Sequence, residues 1–130
     1  MRVPIAELQV SQLYISEEKL RSVQLLIDKG IQLDPIPVKK IGGKKMMTDG
    51  HTRAVAYFLR GETSVEVEEE EEDLDWDEYR ICVNWCETEG IGIAELSQRI
   101  ISVNEYQKLW LDRCRKMREN MRKDLSRKDL

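Results

Sequence analysis

Apolar positions recur along this chain in blocks that change period, and each change marks an element. Leu20, Val23, Leu26 and Ile27 repeat at three and four residues, the period of a helix with one buried face. Ser16 precedes them as an N-cap, and Glu17 and Glu18 fill the first turn, where the helix dipole favours carboxylates. Lys29-Gly30 gives that helix a basic last turn and a glycine stop. Upstream, Pro4 to Val10 reads as a short strand or extended arm. Downstream, the prolines of Asp34-Pro35-Ile36-Pro37-Val38 exclude a helix and limit how the strand through Ile36, Val38 and Ile41 can pair. Gly42-Gly43 is a hairpin signal, with Lys44 to Thr48 as the returning strand. A second helix runs from about Gly50 to Leu59, carrying Ala54, Val55, Tyr57 and Phe58, and stops at Arg60-Gly61. Ser64-Val65-Glu66-Val67-Glu68 alternates at period two, as a half-buried strand does.

The acidic run Glu68 to Asp73 breaks the pattern and reads as a solvated linker. From Asp75 the periodicity is helical again. Trp76, Tyr79, Cys82, Val83 and Cys86 share one helix face that ends near Gly90. Ile93, Leu96, Ile100 and Ile101 are expected to form the face of another helix. Ser102-Val103-Asn104-Glu105 has the form of a capping box opening a third. On it, Val103, Tyr106, Trp110, Cys114, Met117 and Met121 recur at three and four and read as packing residues. The tail from Arg113 is strongly basic and is expected to fray after Met121.

Composition narrows the class. The chain has 130 residues, 41% apolar and 35% charged, enough for a core in a water-soluble domain. Its net charge of -4 argues against a general nucleic-acid binder. No apolar run approaches the roughly 20 residues of a membrane span, and the start lacks a charged-then-apolar leader pattern. The expectation is a cytoplasmic protein with no membrane partner. The 3 cysteines do not make an even disulfide framework, and their spacing is poor for zinc. They are expected to be reduced, mostly buried thiols.

The chemistry concentrates in Met46-Met47-Thr48-Asp49-Gly50-His51-Thr52-Arg53-Ala54-Val55-Ala56, a strand end, a glycine turn and a helix start. Gly50 removes the Cβ that would block a ligand, and the helix start offers unpaired N–H groups whose dipole favours an anion. Asp49, His51, Thr52 and Arg53 surround the same point. Asp49 could hold Mg²⁺ or cap the helix. Arg53 could hold phosphate oxygens or pair with the acidic linker.

Four features in order carry a family likeness. These are the helix from Ser16 to Asp28 ending in Gly30, the Pro35-Ile36-Pro37-Val38 strand with the Gly42-Gly43 hairpin, the Asp49-Gly50-His51-Thr52-Arg53-Ala54 helix start, and Gly61 before the Val65-Glu66-Val67 strand. The stretch from Ile15 to Val67 resembles the ParB N-terminal/sulfiredoxin-like superfamily. That resemblance implies an α+β fold, a small mixed sheet with packed helices. Here it would be followed by a C-terminal helical region, with residues 1–70 as the nucleotide-binding core and 71–130 as a helical extension with a basic tail. It also implies nucleotide phosphates at the glycine turn.

Within the superfamily, sulfiredoxins place a nucleophilic cysteine between the turn glycine and the histidine-arginine pair. Here His51 follows Gly50 directly, so cysteine-based reductase chemistry is excluded. The Asp-Gly-His-x-Arg form is similar to that of free-serine kinases, which use an early glutamate as base on the substrate hydroxyl. Glu17 or Glu18 falls in that region, with Ser16 where a histidine usually stands. The catalytic set implied is Glu17 or Glu18, Asp49 and His51. The nucleotide-binding set is Gly50, His51, Thr52 and Arg53, with Asp49 on the metal. The cofactors implied are ATP or ADP with Mg²⁺, and the acceptor a small hydroxylated metabolite. ParB proteins bind and hydrolyse CTP with a glycine-arginine-arginine turn; Thr52 replaces the first arginine, so CTP is the alternative nucleotide.

A second expectation is a non-catalytic DNA-associated adaptor. The segment Ala94 to Tyr106 has a likeness to a helix-turn-helix, although Ile101 replaces the turn glycine and Glu105 and Asp112 would face phosphates. A third is a protein-interaction module using the Trp110–Met117 face. The oligomeric state is open.

Overall fold

Gly42 and Gly43, with φ of +58° and +78°, make the tight turn that folds strand β4 (Ile36–Ile41) back on β5 (Lys44–Met47). This hairpin is the middle of the sheet in a computed structural model that describes residues 1–128. β6 (Ser64–Glu69) joins β4 in parallel and β1 (Arg2–Pro4) closes that side antiparallel to β6. β2 (Leu8–Gln9) lies parallel to β5 on the other edge, giving the order β1-β6-β4-β5-β2. The fold is α+β with a small mixed sheet and packed helices.

β4 is a central strand despite Pro37. The carbonyl of Pro37 accepts from the Thr48 N–H at 3.1 Å, just past the last β5 pair. Proline therefore sits where the ladder to β5 is ending, which a central strand tolerates. The Ser64–Glu69 strand alternates as its sequence requires, with Val65 and Val67 buried.

Helix α1 (Glu17–Asp28) starts at Ser16, whose hydroxyl accepts from the Lys19 N–H at 3.4 Å. Helix α2 (His51–Leu59) starts at Gly50 and buries Ala54, Val55 and Ala56. α3 (Trp76–Glu89) is capped by the Asp75 side chain and stops at Gly90. α4 is a single turn, Ile93–Leu96.

The expected helix face through Ile100 and Ile101 is not formed. Those two residues are strand β7 (Ile100–Ile101), parallel to β3 (Ile15–Ser16), with Ile15 opposite Ile100. Two adjacent β-branched residues suit extended backbone. The Arg99 carbonyl beside them takes the Ile15 N–H at 3.0 Å, an otherwise unpaired donor in the core. The segment Ala94 to Tyr106 is accordingly not two helices joined by a tight turn.

The last helical stretch is α5 (Val103–Tyr106), a π-helical turn Gln107–Leu111, and α6 (Asp112–Lys128). Spacings of four, four, three and four from Tyr106 to Met121 run ahead of the 3.6-residue turn. The wider π turn absorbs the extra residue and keeps Trp110, Cys114 and Met117 on the core face. Val103, expected on that face, is 55% exposed because it lies at the first position of α5, before the buried stripe begins. The Trp110–Met117 face is covered by the chain's own core. The helix does not fray after Met121 but continues to Lys128; residues 129 and 130 of the basic tail lie outside the described residues. Val3, Leu13, Val55, Cys86, Leu96 and Trp110 belong to one buried cluster, so residues on both sides of position 70 share a core. No helix among the described residues is long and apolar enough to cross a membrane.

Leu96, 0% exposed on a one-turn helix, tests that shared core. Leu96→Ala is expected to lower unfolding stability by about 2–5 kcal/mol, and exposed Leu25→Ala by under about 0.5 kcal/mol, in urea titrations.

Candidate functional site

The turn between β5 and α2 is shaped by two contacts at Thr48 and a glycine. Thr48 ends the strand with its hydroxyl on Glu70 Oε1 at 2.8 Å, and its carbonyl accepts from the Tyr79 hydroxyl at 2.8 Å. Glu70, assigned by sequence to a solvated linker, thus holds the approach to the turn. Gly50 follows with φ +79°, and a Cβ there would lie 2.8 Å from Arg53 Nη2. The positive φ favours glycine, and a side chain there would displace the guanidinium that crosses over it.

Asp49 does not cap α2. Its Oδ1 accepts from the Gly50 N–H at 2.8 Å, and its side chain is 81% exposed. The N-cap residue is Gly50, which has no side chain, so α2 has no side-chain cap and the first-turn amides of His51, Thr52 and Arg53 point outward. Arg53 does not reach the acidic linker. Its Nη1 donates to the carbonyls of Asp34 at 2.8 Å and Pro35 at 3.2 Å, and Nη2 lies 4.0 Å from Asp49 Oδ2. The guanidinium therefore fixes the loop before β4 while facing the turn.

His51 is the buried member, 5% exposed. Its Nε2 accepts from the Ser11 N–H at 2.9 Å, while the Ser11 hydroxyl donates to the Met47 carbonyl at 2.8 Å. An accepting Nε2 puts the ring proton on Nδ1. Burial drives the imidazole pKa down to about 4, against the opposing pull of the Asp49 charge. The ring is neutral at pH 7. No buried side-chain nitrogen or oxygen among the described residues lacks a partner, so Nδ1–H opens onto the clefts that His51 lines.

Two clefts meet at this histidine. The larger, about 540 Å³, has Gly50, Thr52 and Arg53 on one wall and Glu18 and Lys19 of α1 on the other. That volume lies in the usual range of small-molecule sites. Glu18 is brought to the turn and Glu17 is not, being held 2.6 Å from Arg21 on the outside of α1. Lys19 was missed by sequence reasoning because nothing in the pattern distinguishes it from other surface lysines. In the fold its ammonium sits 5.2 Å from the Tyr106 ring at the cleft edge. The smaller cleft, about 190 Å³, lies on the other face of His51 and Asp49, walled by Glu78, Cys82, Cys114 and Arg118. The hairpin lysines Lys44 and Lys45 line a different cleft, away from the turn.

Among the described residues no three of histidine, cysteine, aspartate and glutamate cluster as a metal site. Three carboxylates line the larger cleft: Glu18, Asp49 and, at the loop that Arg53 holds, Asp34. Magnesium needs few protein carboxylates when phosphates and water supply the remaining ligands. The donor set is therefore compatible with a phosphate-bound cation rather than with a protein cage.

No family model matches this chain, and no curated protein matches it significantly.

His51, the only histidine, gives a direct test. Its ring proton resonances are expected to titrate near pH 4 in NMR; titration near 6.5 would contradict burial. The unfolded chain binds the extra proton between about pH 6.5 and 4, so stability is expected to fall as pH drops through that window. The loss attributable to His51 is at most about 3 kcal/mol, read as the difference from His51→Gln in urea titrations.

Proposed function

We propose that the larger cleft binds the phosphates of a nucleotide, ATP or ADP with Mg²⁺, and serves phosphoryl transfer or nucleotide hydrolysis. The observation that carries this reading is the meeting, in one cleft, of the uncapped α2 N-terminus with Lys19, Arg53, Glu18 and His51. Three outward amides and two cations suit an anion with several oxygens. Neutral His51 donates one hydrogen bond without adding charge. Thr52 adds an amide and a hydroxyl at the same wall. Gly50 leaves room for the Arg53 guanidinium to lie over the turn, where it would meet the anion.

Asp49 is the residue that would hold Mg²⁺ beside the phosphates, and the metal would supply charge neutralisation there. Glu18 stands across the cleft and would accept a proton from the hydroxyl of a small hydroxylated metabolite or from water. Glu17 has no part in this reading because Arg21 engages it. CTP is the alternative nucleotide, since no feature of the cleft selects a base.

A second reading, a non-catalytic DNA-associated adaptor, draws support from a separate groove of about 450 Å³. Its walls include Tyr14, Trp85, Lys108, Arg113 and Lys116, with no carboxylate among them. Such a lining suits a phosphate backbone. It predicts a salt-sensitive gel shift that Lys108→Glu with Lys116→Glu removes. No shift at low salt would eliminate this reading.

Thermal-shift titration with Mg²⁺ and ATP, ADP or CTP tests the first reading. Stabilisation is expected with at least one nucleotide. Lys19→Ala, which removes one charge-assisted contact at an exposed position, is expected to weaken binding about tenfold. Glu18→Gln is expected to keep binding and lose turnover. No stabilisation by any of the three at millimolar concentration would refute the reading.

A further inference from the structure

The tip of the β4–β5 hairpin is a basic edge that its own chain leaves uncompensated. The sequence there is Lys39-Lys40-Ile41-Gly42-Gly43-Lys44-Lys45. Gly42-Gly43 is a two-residue turn, so Ile41 and Lys44 are the hydrogen-bonded pair that closes it. Lys40 and Lys45 are the next pair, the kind without mutual hydrogen bonds. Side chains of such a pair lie closest together, and like charges directly opposite are destabilising. Among the described residues neither lysine forms an ion pair, and Lys44 reaches Glu87 only at 3.9 Å. All three line a cleft of about 550 Å³ beside the N-terminal arm, with Glu7 its single carboxylate.

The backbone of this tip is open as well. Val38 presents its carbonyl to the β6 side, where the Glu70 N–H takes it at 2.8 Å. Lys40, two residues on, presents its N–H and carbonyl to the same side. The ladder between β4 and β6 ends at Val38, so among the described residues that side of Lys40 has no strand beside it. An open strand edge is a template for another chain, and lysines on it select against partners that lack negative charge.

The acidic run starts at the same place. Glu69 stands opposite Val38, and at the far end of the run the Lys39 ammonium lies 5.4 Å from the centre of the Trp76 ring. Between these anchors the chain leaves the sheet, and Glu71 and Glu72 are exposed. Glu70 is engaged by the Thr48 hydroxyl. Glu68, Glu69, Glu71 and Glu72 form no ion pair among the described residues. One edge of the sheet therefore carries a basic and an acidic patch side by side, and the fold does not join them.

We propose that this edge is a dimer interface, in which the lysine tip of one chain seats against the exposed acidic run of a second copy, twice over, about a two-fold axis.

The symmetry follows from the adjacency. Two neighbouring patches of opposite sign are self-complementary under a two-fold rotation, and such an isologous contact closes at two chains. Each acidic run then supplies the carboxylates that the Lys40–Lys45 pair lacks, and an extended segment beside Lys40 can take up its free backbone groups. Exposed ion pairs are individually worth little, so the dimer is weak and sensitive to salt. The net charge of -4 repels a second copy at long range, which confines the attraction to this matched edge. None of these lysines and glutamates lines either cleft at His51, so the nucleotide reading does not enter.

Sedimentation velocity over a concentration series tests this at about 0.1 M and about 1 M salt, between which the Debye length falls from about 10 Å to about 3 Å. The expected result is a mass that rises with concentration towards twice 15.3 kDa at the lower salt and stays monomeric at the higher. Lys40→Glu with Lys45→Glu makes both patches acidic, and Glu71→Lys with Glu72→Lys makes both basic. Each double variant alone is expected to be monomeric, with cooperative thermal unfolding like the parent's, and an equal mixture of the two to recover the dimer. Zero-length carbodiimide coupling of mixed isotope-labelled and unlabelled parent chains is expected to join Lys40 or Lys45 to Glu71 or Glu72 between chains. A parent that stays monomeric up to about 1 mM at the lower salt, a dimer that survives the reversals, or a mixture that recovers nothing would overturn the proposal.

Discussion

The hydrogen bond from the Ser11 N–H to His51 Nε2 is the contact on which the site depends. It joins the N-terminal arm to the start of α2 across a separation of 40 residues. Ser11 is buried and its own hydroxyl is spent on the Met47 carbonyl, so the arm is held at both the end of β5 and the start of the helix. A buried donor left without a partner costs about 1–3 kcal/mol, which ties the position of the imidazole to the arm. The bond also fixes the tautomer. With Nε2 accepting and burial disfavouring the charged form, His51 becomes a fixed neutral donor between two clefts rather than a titrating base.

Around that point each element has a separate physical task. Gly50 supplies a backbone that other residues reach only with strain, and its missing Cβ leaves room for the Arg53 guanidinium. Arg53 ties the loop before β4 to the turn through two carbonyls. α1 supplies the opposite wall with Glu18 and Lys19, and its packing against α2 sets the cleft width. The helices after position 75 close the other side, with Tyr79 anchored on the Thr48 carbonyl. The chemistry proposed for the turn thus draws its walls from three separate parts of the chain.

Local signals in the sequence made much of this legible. Ser16, the Gly42-Gly43 turn, Gly50 and the period-two alternation through Val65 and Val67 act over a few residues, and each produced the element expected of it. The sequence also singled out Asp49 to Arg53, and the fold gathers those residues at one turn. What escaped depended on distant pairing. Ile100 and Ile101 fit a helical period, yet Ile15 offers them a parallel strand partner. Which of Glu17 and Glu18 faces the turn rests on how α2 packs against α1. Lys19 gains meaning only from the opposite wall, and Trp110, Cys114 and Met117 stay on the core face only because the π turn sets the phase of α6.

Amide NMR titration with Mg²⁺ and ADP tests the central claim most directly, because it reports where a ligand sits. The expected result is saturable shifts concentrated at Gly50, His51, Thr52, Arg53 and Lys19, with His51 ring protons moving while the ring stays neutral. Shifts absent from the α2 start, or clustered instead at the Trp85–Lys116 groove, would contradict it.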